Sequence, residues 1–108
     1  MYMVAIKVKI LGYVDHSYPG WIRCSFIDAF GVEWFIIEKV PVITEENLDE
    51  KSIYPKDGFI ACIIDESIEG NSKEEIVTIN IEKPWGICAE SGETIFKVFR
   101  NQIVHPYG

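Results

Sequence analysis

Apolar and polar residues alternate with a period of two along much of this chain, and this feature constrains the fold more than any other. In VAIKVKI, residues 4–10, the apolar side chains at even positions face one side while Lys7 and Lys9 face the other. This pattern is typical of a β-strand with one buried face. The alternation recurs in WIRCSFIDA (21–29), and β-branched residues are frequent in IVTINIE (76–82). The sequence therefore predicts a mostly β fold.

Two other segments are apolar on both faces in their middle, VEWFIIEKV (32–40) and GFIACIIDE (58–66). For the first of these, we expect a strand that is central in the sheet or covered on both sides. TIFKVF (94–99) reads as the last clear strand, and ICA (87–89) as a short one. These segments bring the expected number of strands to six or seven.

The connections between these strands are mostly short. Few of them are long enough for the crossover that parallel strands need, so we expect antiparallel pairing. SIEGNSKEE (67–75) is a polar turn that joins two strands into a hairpin, and TEENLDEK (44–51) is the predicted helical segment, with Thr44 as its N-cap. The expected fold is one domain over residues 1–108, a small antiparallel β-barrel or sandwich with one short helical turn.

The 108 residues are enough to form one hydrophobic core, and 48% of them are hydrophobic. The alternation assigns the inward positions of the strands to that core. These positions are Val4, Ile6, Val8, Ile22, Cys24, Phe26, Ile36, Ile60, Cys62, Ile64, Val77, Ile79, Phe96 and Val98.

Seventeen acidic residues against ten basic ones give the chain a net charge of −7. Nucleic-acid binding needs a clustered basic face, and the lysines and arginines here are scattered, so we expect no direct nucleic-acid partner. The complement of an acidic surface is a basic protein.

The N-terminal segment has Lys7 and Lys9 where a signal peptide would be apolar, and no apolar stretch of about 18 residues is present. We therefore expect a cytoplasmic protein without a membrane-spanning helix. Cys24, Cys62 and Cys88 are odd in number and lie among apolar residues, so we expect reduced, buried thiols.

Catalytic and metal sites have no clear signature. No two Cys or His residues have the two-to-four-residue spacing that zinc sites usually use, so we expect no metal and no cofactor. A set of Cys88, His105 and Asp65 has the residue types of nucleophilic catalysis but no distinctive spacing, and we expect no enzyme activity.

Two acidic segments flank the fourth strand. We predict that they and one tryptophan form a partner-binding surface, and that the acidic segments form one negative patch if they meet in space. The predicted residues are Glu45, Glu46, Asp49, Glu50, Asp65, Glu66, Glu69, Glu74, Glu75 and Trp85.

Trp85 lies between Pro84 and Gly86 in a turn. A plug at the end of the barrel is the simplest interpretation of this residue. The alternative is an exposed anchor for a partner, because tryptophan is frequent at interface hot spots.

Four segments occur in an order that resembles a family of short bacterial proteins of about this length. They are PGWIRCSFIDAFG, IIEKVPVIT, YPKDGFIAC and EKPWGICAESGETIFKV, which together cover most of residues 19–98. The resemblance implies a small intracellular β-domain and carries over no catalytic residue.

These observations favour a protein-binding function. The most concrete hypothesis is an immunity protein, which neutralises a basic, nuclease-like toxin domain by covering its substrate-binding surface with acidic groups. A first alternative is a small-molecule-binding or catalytic barrel with a pocket near Trp85, Cys88 and Tyr54. A second alternative is a structural accessory subunit that adds a strand to a partner's sheet.

Overall fold

The structure is a computed structural model that describes residues 3–65 and 75–107, and within these residues the chain forms one sheet of seven antiparallel strands. The strands are β1 (Met3–Asp15), β2 (Trp21–Ile27), β3 (Glu33–Lys39), β4 (Lys56–Ile64), β5 (Ile76–Asn80), β6 (Ile95–Phe99) and β7 (Ile103–Val104). A one-turn helix, α1 (Val40–Ile43), follows β3, and a 3₁₀ turn (Arg100–Gln102) precedes β7. The strand order is β3-β2-β1-β4-β5-β6, and β7 pairs with β1.

Strand β1 is the longest strand and links the two parts of the sheet. Its first eight residues pair with β4, whereas its last part, from Lys9 to Asp15, pairs with β2. The register with β2 shifts at Leu11 and again at Val14. Such irregularities bend a strand and increase its twist, so β1 leaves β4 and continues with β2. The sheet curls as a result.

The two ends of the strand order approach each other and give the sheet the shape of a half-barrel. The backbone N–H of Ala29, after β2, donates to the carbonyl of Lys97 in β6 at 2.8 Å. The ring of Phe96 contacts both Phe26 and Trp34 edge to face, with centroids 5.1 and 5.0 Å apart. The core thus lies between β2 and β3 on one side and β5 and β6 on the other.

The predicted core is correct except at one position. Thirteen of the fourteen predicted side chains are buried, and Ile64 is half-buried against them. Residues outside the observed strands complete the core, because α1 and the two irregular segments at 44–55 and 81–94 cover it. Their buried side chains are Val40, Ile43, Leu48, Ile81, Ile87 and Ala89.

A buried carboxylate organises the connection between β2 and β3, which we call the Asp28 turn (residues 28–34). Asp28 accepts hydrogen bonds from the backbone N–H groups of Phe30 and Val32 and from the ring N–H of Trp34, at 2.8, 3.0 and 2.8 Å. Gly31 supplies the positive φ of 83° that closes the turn. Burial alone raises the pKa of Asp28, but the three hydrogen bonds more than offset it and the pKa is lowered.

The predicted helix at residues 44–51 is wrong. In the described part of the chain, the α-helical turn lies earlier, at Val40–Ile43. Pro41 is suited to the start of this helix, because the backbone N–H groups of the first helical turn have no acceptor within the helix and proline lacks this group. Thr44 ends this helix and is not an N-cap. Residues 45–51 form bends and turns, because Leu48 is drawn into the core while the acidic side chains around it stay in solvent.

Two strand predictions also need correction. Strand β3 is not central, because it lies at the end of the strand order, and it is not covered on both sides along its whole length. The guanidinium group of Arg23 covers the outward Phe35, 4.1 Å from the ring centroid, but Ile37 is exposed. Residues 87–89 do not form the short strand that the sequence suggested, although Ile87 and Ala89 are buried. A short strand that the sequence did not predict, β7, lies near the C-terminus and pairs with Ala5 and Ile6 of β1.

Candidate functional site

The first acidic segment forms an exposed surface loop, which we call the acidic loop (residues 44–54). Four of its carboxylates are exposed. They are Glu45, Glu46, Asp49 and Glu50. The loop thus presents to solvent the four residues that the sequence predicts for partner binding.

Internal contacts hold the acidic loop in a defined shape. Leu48 is buried in the core, and the hydroxyl of Tyr54 donates to the carbonyl oxygen of Asp49 at 2.7 Å. The carboxylate of Asp49 accepts from the backbone N–H of Lys51 at 2.8 Å. An exposed ion pair of 3.5 Å joins Glu46 to Lys56 at the start of β4. The loop is therefore preorganised.

The acidic loop lies beside the connection between β1 and β2. Nε2 of His16 lies 2.7 Å from a carboxylate oxygen of Glu50, and this contact joins the two segments. Two residues from His16, Tyr18 is 96% exposed, and three residues from Glu50, Ile53 is 82% exposed. No other large hydrophobic side chain of the described residues is as exposed as either of these. The surface therefore combines carboxylates with two apolar side chains.

The second acidic segment lies mostly outside the described residues, and this applies to Glu66, Glu69 and Glu74 and to the predicted turn around them. Its two ends are described: Asp65 is half-buried and Glu75 is exposed. Asp65 directly follows the last residue of β4, whereas the acidic loop lies before the first residue of the same strand. Nine residues of extended strand separate the two by roughly 25–30 Å. The acidic loop and the described ends of the second acidic segment therefore lie on two surfaces and do not form one patch.

Trp85 lies in a turn of residues 82–86, which we call the Trp85 turn, and its side chain is 53% exposed. The simplest interpretation of the sequence, a plug at the end of the barrel, is therefore wrong. The backbone N–H of Gly86 donates to the carbonyl of Glu82, and Gly86 has a positive φ of 69°. The neighbouring Ile81 and Ile87 are buried and cover this end of the core instead.

The three thiols fall into two environments. Cys24 and Cys62 are buried, and this burial raises the pKa of each thiol to about 12, with a further contribution from Glu38 at Cys24. Such thiols are poor nucleophiles at neutral pH. Cys88 is exposed, in contrast to the prediction, because it alternates with the inward Ile87 and Ala89. It therefore belongs to the same open segment as Trp85.

A cleft of about 1060 Å³ lies on the outside of the sheet, where β2 and β7 diverge along β1; we call it the fork cleft. Trp85, Cys88 and Tyr54 do not line the fork cleft, so this cleft is not the pocket of the first alternative hypothesis. Its polar side chains include Lys7, Ser25 and His105. Sequence patterns did not identify this cleft, because β7 is only two residues long and lies in a segment that reads as a tail.

In residues 3–65 and 75–107, no three His, Cys, Asp or Glu side chains are grouped in a way that would hold a metal ion. No helix in this part of the chain has the length and apolar character needed to cross a bilayer.

Comparisons of the chain with protein-family models, with curated proteins and with solved structures give no match. Arguments about function therefore rest on the surfaces described above.

Proposed function

We propose that this chain is an acidic, cytoplasmic protein-binding domain, and that it acts as an immunity protein that neutralises a basic, nuclease-like toxin domain. One observation carries the proposal: the acidic loop presents exposed carboxylates next to the exposed Tyr18 and Ile53. The net charge of −7 supports a basic partner.

The composition of this surface is suited to an interface with a basic protein. Tyrosine supplies a large contact area with few rotatable bonds and is frequent at hot spots. Carboxylates around such anchors speed encounter with a positive partner and disfavour other partners. A nuclease is positive where it holds phosphates, so the same carboxylates would occupy the place of its substrate.

The preorganised shape of the acidic loop also supports the proposal. Ordering a flexible loop on binding reduces affinity, because each immobilised side chain loses conformational entropy. Here the buried Leu48 and the hydrogen bond from Tyr54 to Asp49 fix the loop before it binds. Trp85 and the second acidic segment, with Asp65 and Glu75 at its ends, are proposed as further contacts with the partner.

Growth rescue tests the neutralising function. The protein encoded next to this gene in its native genome, expressed alone in a bacterial host, is expected to stop growth. Co-expression of this chain is expected to restore growth. The proposal fails if the neighbouring protein is harmless, or if growth stays blocked although both chains are soluble.

Charge reversal tests the surface. Glu45→Lys with Glu46→Lys is expected to slow association with the purified toxin domain at low salt and to reduce the salt dependence, because charge interactions are screened over about 8 Å at physiological ionic strength. The matched control is Glu33→Lys with Glu93→Lys, two exposed acids outside the acidic loop and the Trp85 turn that change the net charge equally. Equal slowing by both pairs would show a net-charge effect and would refute binding through the acidic loop.

Truncation of the apolar anchors is a second test of the same surface. Tyr18→Ala and Ile53→Ala are expected to raise the dissociation rate at least about tenfold in total, with little change in the melting temperature, because both side chains are almost fully in solvent. Unchanged dissociation in both variants would place the interface elsewhere.

A further inference from the structure

The fork cleft is a consequence of how β1 shares one of its edges. Ala5 and Ile6 pair with β7 on this edge, and pairing with β2 begins at Lys9. Lys7 and Val8 lie between the two partners, and both line the cleft. On the opposite edge β4 pairs with β1 without interruption from Met3 to Ile10. The opening is therefore built into the strand pairing and does not depend on a surface loop.

Apolar side chains form much of the cleft. Phe59 projects from β4, Ile27 from β2 and Leu11 from β1, and Val104 lies at the end of β7. Ile27 is more than half exposed although it is large and apolar. Clefts of roughly 300–1,000 Å³ with apolar walls and a few polar groups are typical of small-molecule sites. At about 1060 Å³, the fork cleft lies just above this range.

Three charged groups of the cleft, Lys9, Asp57 and Glu33, each contact a partner. Lys9 and Asp57 form an ion pair of 2.6 Å. The hydroxyl of Ser25 donates to Glu33 at 2.8 Å, and Glu33 also acts on Arg23, whose pKa is raised first by Glu90 and more weakly by Glu33. No described residue forms a hydrogen bond or an ion pair with Lys7, although its charge contributes, less than that of Lys9, to the lowered pKa of Asp57.

Polar uncharged groups of the cleft are engaged by the backbone. The side-chain N–H of Gln102 donates to the carbonyl of Ile27, and its oxygen accepts from the N–H of Phe99, both at 2.8 Å. This residue ties the 3₁₀ turn to the end of β2 and so fixes the width of the fork. Thr44, at the other side, accepts from the N–H of Glu46 at 3.2 Å.

We infer that the fork cleft binds a small amphipathic monocarboxylate, with its carboxylate at the ammonium group of Lys7 and its apolar body against Phe59 and Ile27. Lys9 is engaged by Asp57, which leaves Lys7 as the cation for a ligand, and the nearby carboxylates of Glu33 and Asp57 suit a ligand with one negative charge better than a dianion such as a phosphate monoester. The inference does not depend on the proposed function, because Lys7, Phe59 and Ile27 lie outside the acidic loop, which borders the cleft only at Thr44.

Titration with octanoate tests the inference, with octanol and octylammonium as matched ligands of the same chain length. In two-dimensional NMR spectra, octanoate is expected to shift the backbone signals of Lys7, Phe59 and Val104 together and in a saturable way. Octanol should bind about tenfold more weakly, since it lacks the charge-assisted hydrogen bond. Equal binding of octanoate and octanol, tighter binding of octylammonium, or no saturable shift with octanoate would each overturn the inference.

Two substitutions locate the site on the protein. Lys7→Met keeps the apolar stem of the side chain and removes its charge, so octanoate affinity is expected to fall about tenfold while octanol affinity stays the same. Lys83→Met, which removes an exposed charge outside the cleft, is the control and should leave octanoate affinity unchanged. Equal loss in both variants would show an effect of net charge and would overturn the assignment to Lys7.

Ile27→Ser tests the apolar wall separately. Because Ile27 is largely exposed, the folded state should tolerate the change, and the affinities for octanoate and octanol should fall together. A normal affinity for both ligands in a folded variant would contradict the proposed position of the apolar body.

Discussion

Two turns of this protein place a tryptophan near a glycine of positive φ, with opposite results. In the Asp28 turn, the ring N–H of Trp34 donates to a buried carboxylate and its ring contacts Phe96. In the Trp85 turn, the side chain is more than half exposed and no described residue bonds its ring N–H. The difference lies in what the rest of the fold brings to each ring. Beside Trp34 lie a hydrogen-bond acceptor and β6, whereas solvent covers much of Trp85.

This comparison shows that a tryptophan near a turn has no fixed role. A buried indole needs a partner for its N–H, and Asp28 supplies one from six residues away. Trp85 lies between Pro84 and Gly86, and among the described residues no acceptor bonds its ring N–H. Burial of this ring would leave the N–H without a hydrogen bond, so the exposed position has the lower free energy. We therefore expect the Asp28 turn to contribute to stability and the Trp85 turn to be available for contacts.

The largest contrast is expected in the thiols near these turns. Cys88, close to Trp85, should react with a thiol reagent about a thousandfold faster or more than Cys24 in native protein, because Cys24 is buried and its pKa is raised to about 12. Mass spectrometry of timed, quenched samples measures the two rates. If both thiols react at similar rates in native protein, and Cys24 reacts as fast as it does in protein unfolded by urea, the buried position of Cys24 in β2 would be contradicted.

Trp34→Ala is expected to lower the free energy of unfolding by about 3 kcal/mol, the low end for loss of a large aromatic side chain, because Trp34 is half-buried. This corresponds to a decrease of more than about 10 °C in melting temperature. Chemical and thermal denaturation followed by circular dichroism measure the loss. Trp34→Phe is the control: it keeps a ring against Phe96 and should cost about 1 kcal/mol. A loss below 1 kcal/mol in Trp34→Ala would refute the structural role of this ring.

Asp28→Asn is expected to lower the free energy of unfolding by about 1–2 kcal/mol at neutral pH, because the amide group replaces one acceptor with a donor facing Trp34. The folded state lowers the pKa of Asp28 below its ordinary value of 3.8, so the carboxylate stabilises the fold above that value. This stabilisation is lost as the pH falls through the lowered pKa. The difference between wild type and variant should therefore narrow in acid, and a difference that stays constant with pH would contradict an ionised Asp28.

Trp85→Ala is expected to have the smallest effect on stability, no more than about 0.5 kcal/mol, because the side chain is already largely in solvent. Acrylamide quenching adds a positive signal: removal of Trp85 should abolish the most accessible part of the tryptophan fluorescence, leaving Trp21 and Trp34. A loss of several kcal/mol would restore the interpretation of Trp85 as a barrel plug.

Much of the fold can be predicted from alternation alone. The strand phases place Ile22, Cys24 and Phe26 inside, and the structure buries all three. The helix at 44–51 was predicted wrongly because local signals, a Thr followed by acidic residues, are weaker than the burial of Leu48 in an irregular loop. The apolar middle of β3 predicted a strand that is central or covered on both sides, because nothing in the sequence shows that an arginine, Arg23, covers Phe35 at the end of the sheet.

The candidate sites were predictable to different degrees. The exposure of Glu45, Glu46, Asp49 and Glu50 follows from their charge, since unpaired carboxylates are rarely buried. Exposure of Tyr18 and Ile53 has no local signal, because apolar residues in loops are equally suited to core and surface. The fork cleft has none either, since it depends on β7 reaching β1 across about a hundred residues of chain.

The sequence by itself determined the β class, the inward faces of the strands and the acidic charge. These properties depend on the side-chain period of a strand and on composition, and both are local. Only the tertiary structure decided that Trp34 is bonded and Trp85 exposed, that the described ends of the acidic segments lie at opposite ends of β4, and that β2 and β7 form a fork on β1. The physical reason is that each of these outcomes depends on which distant groups meet, and long-range pairing is set by the burial of the whole core.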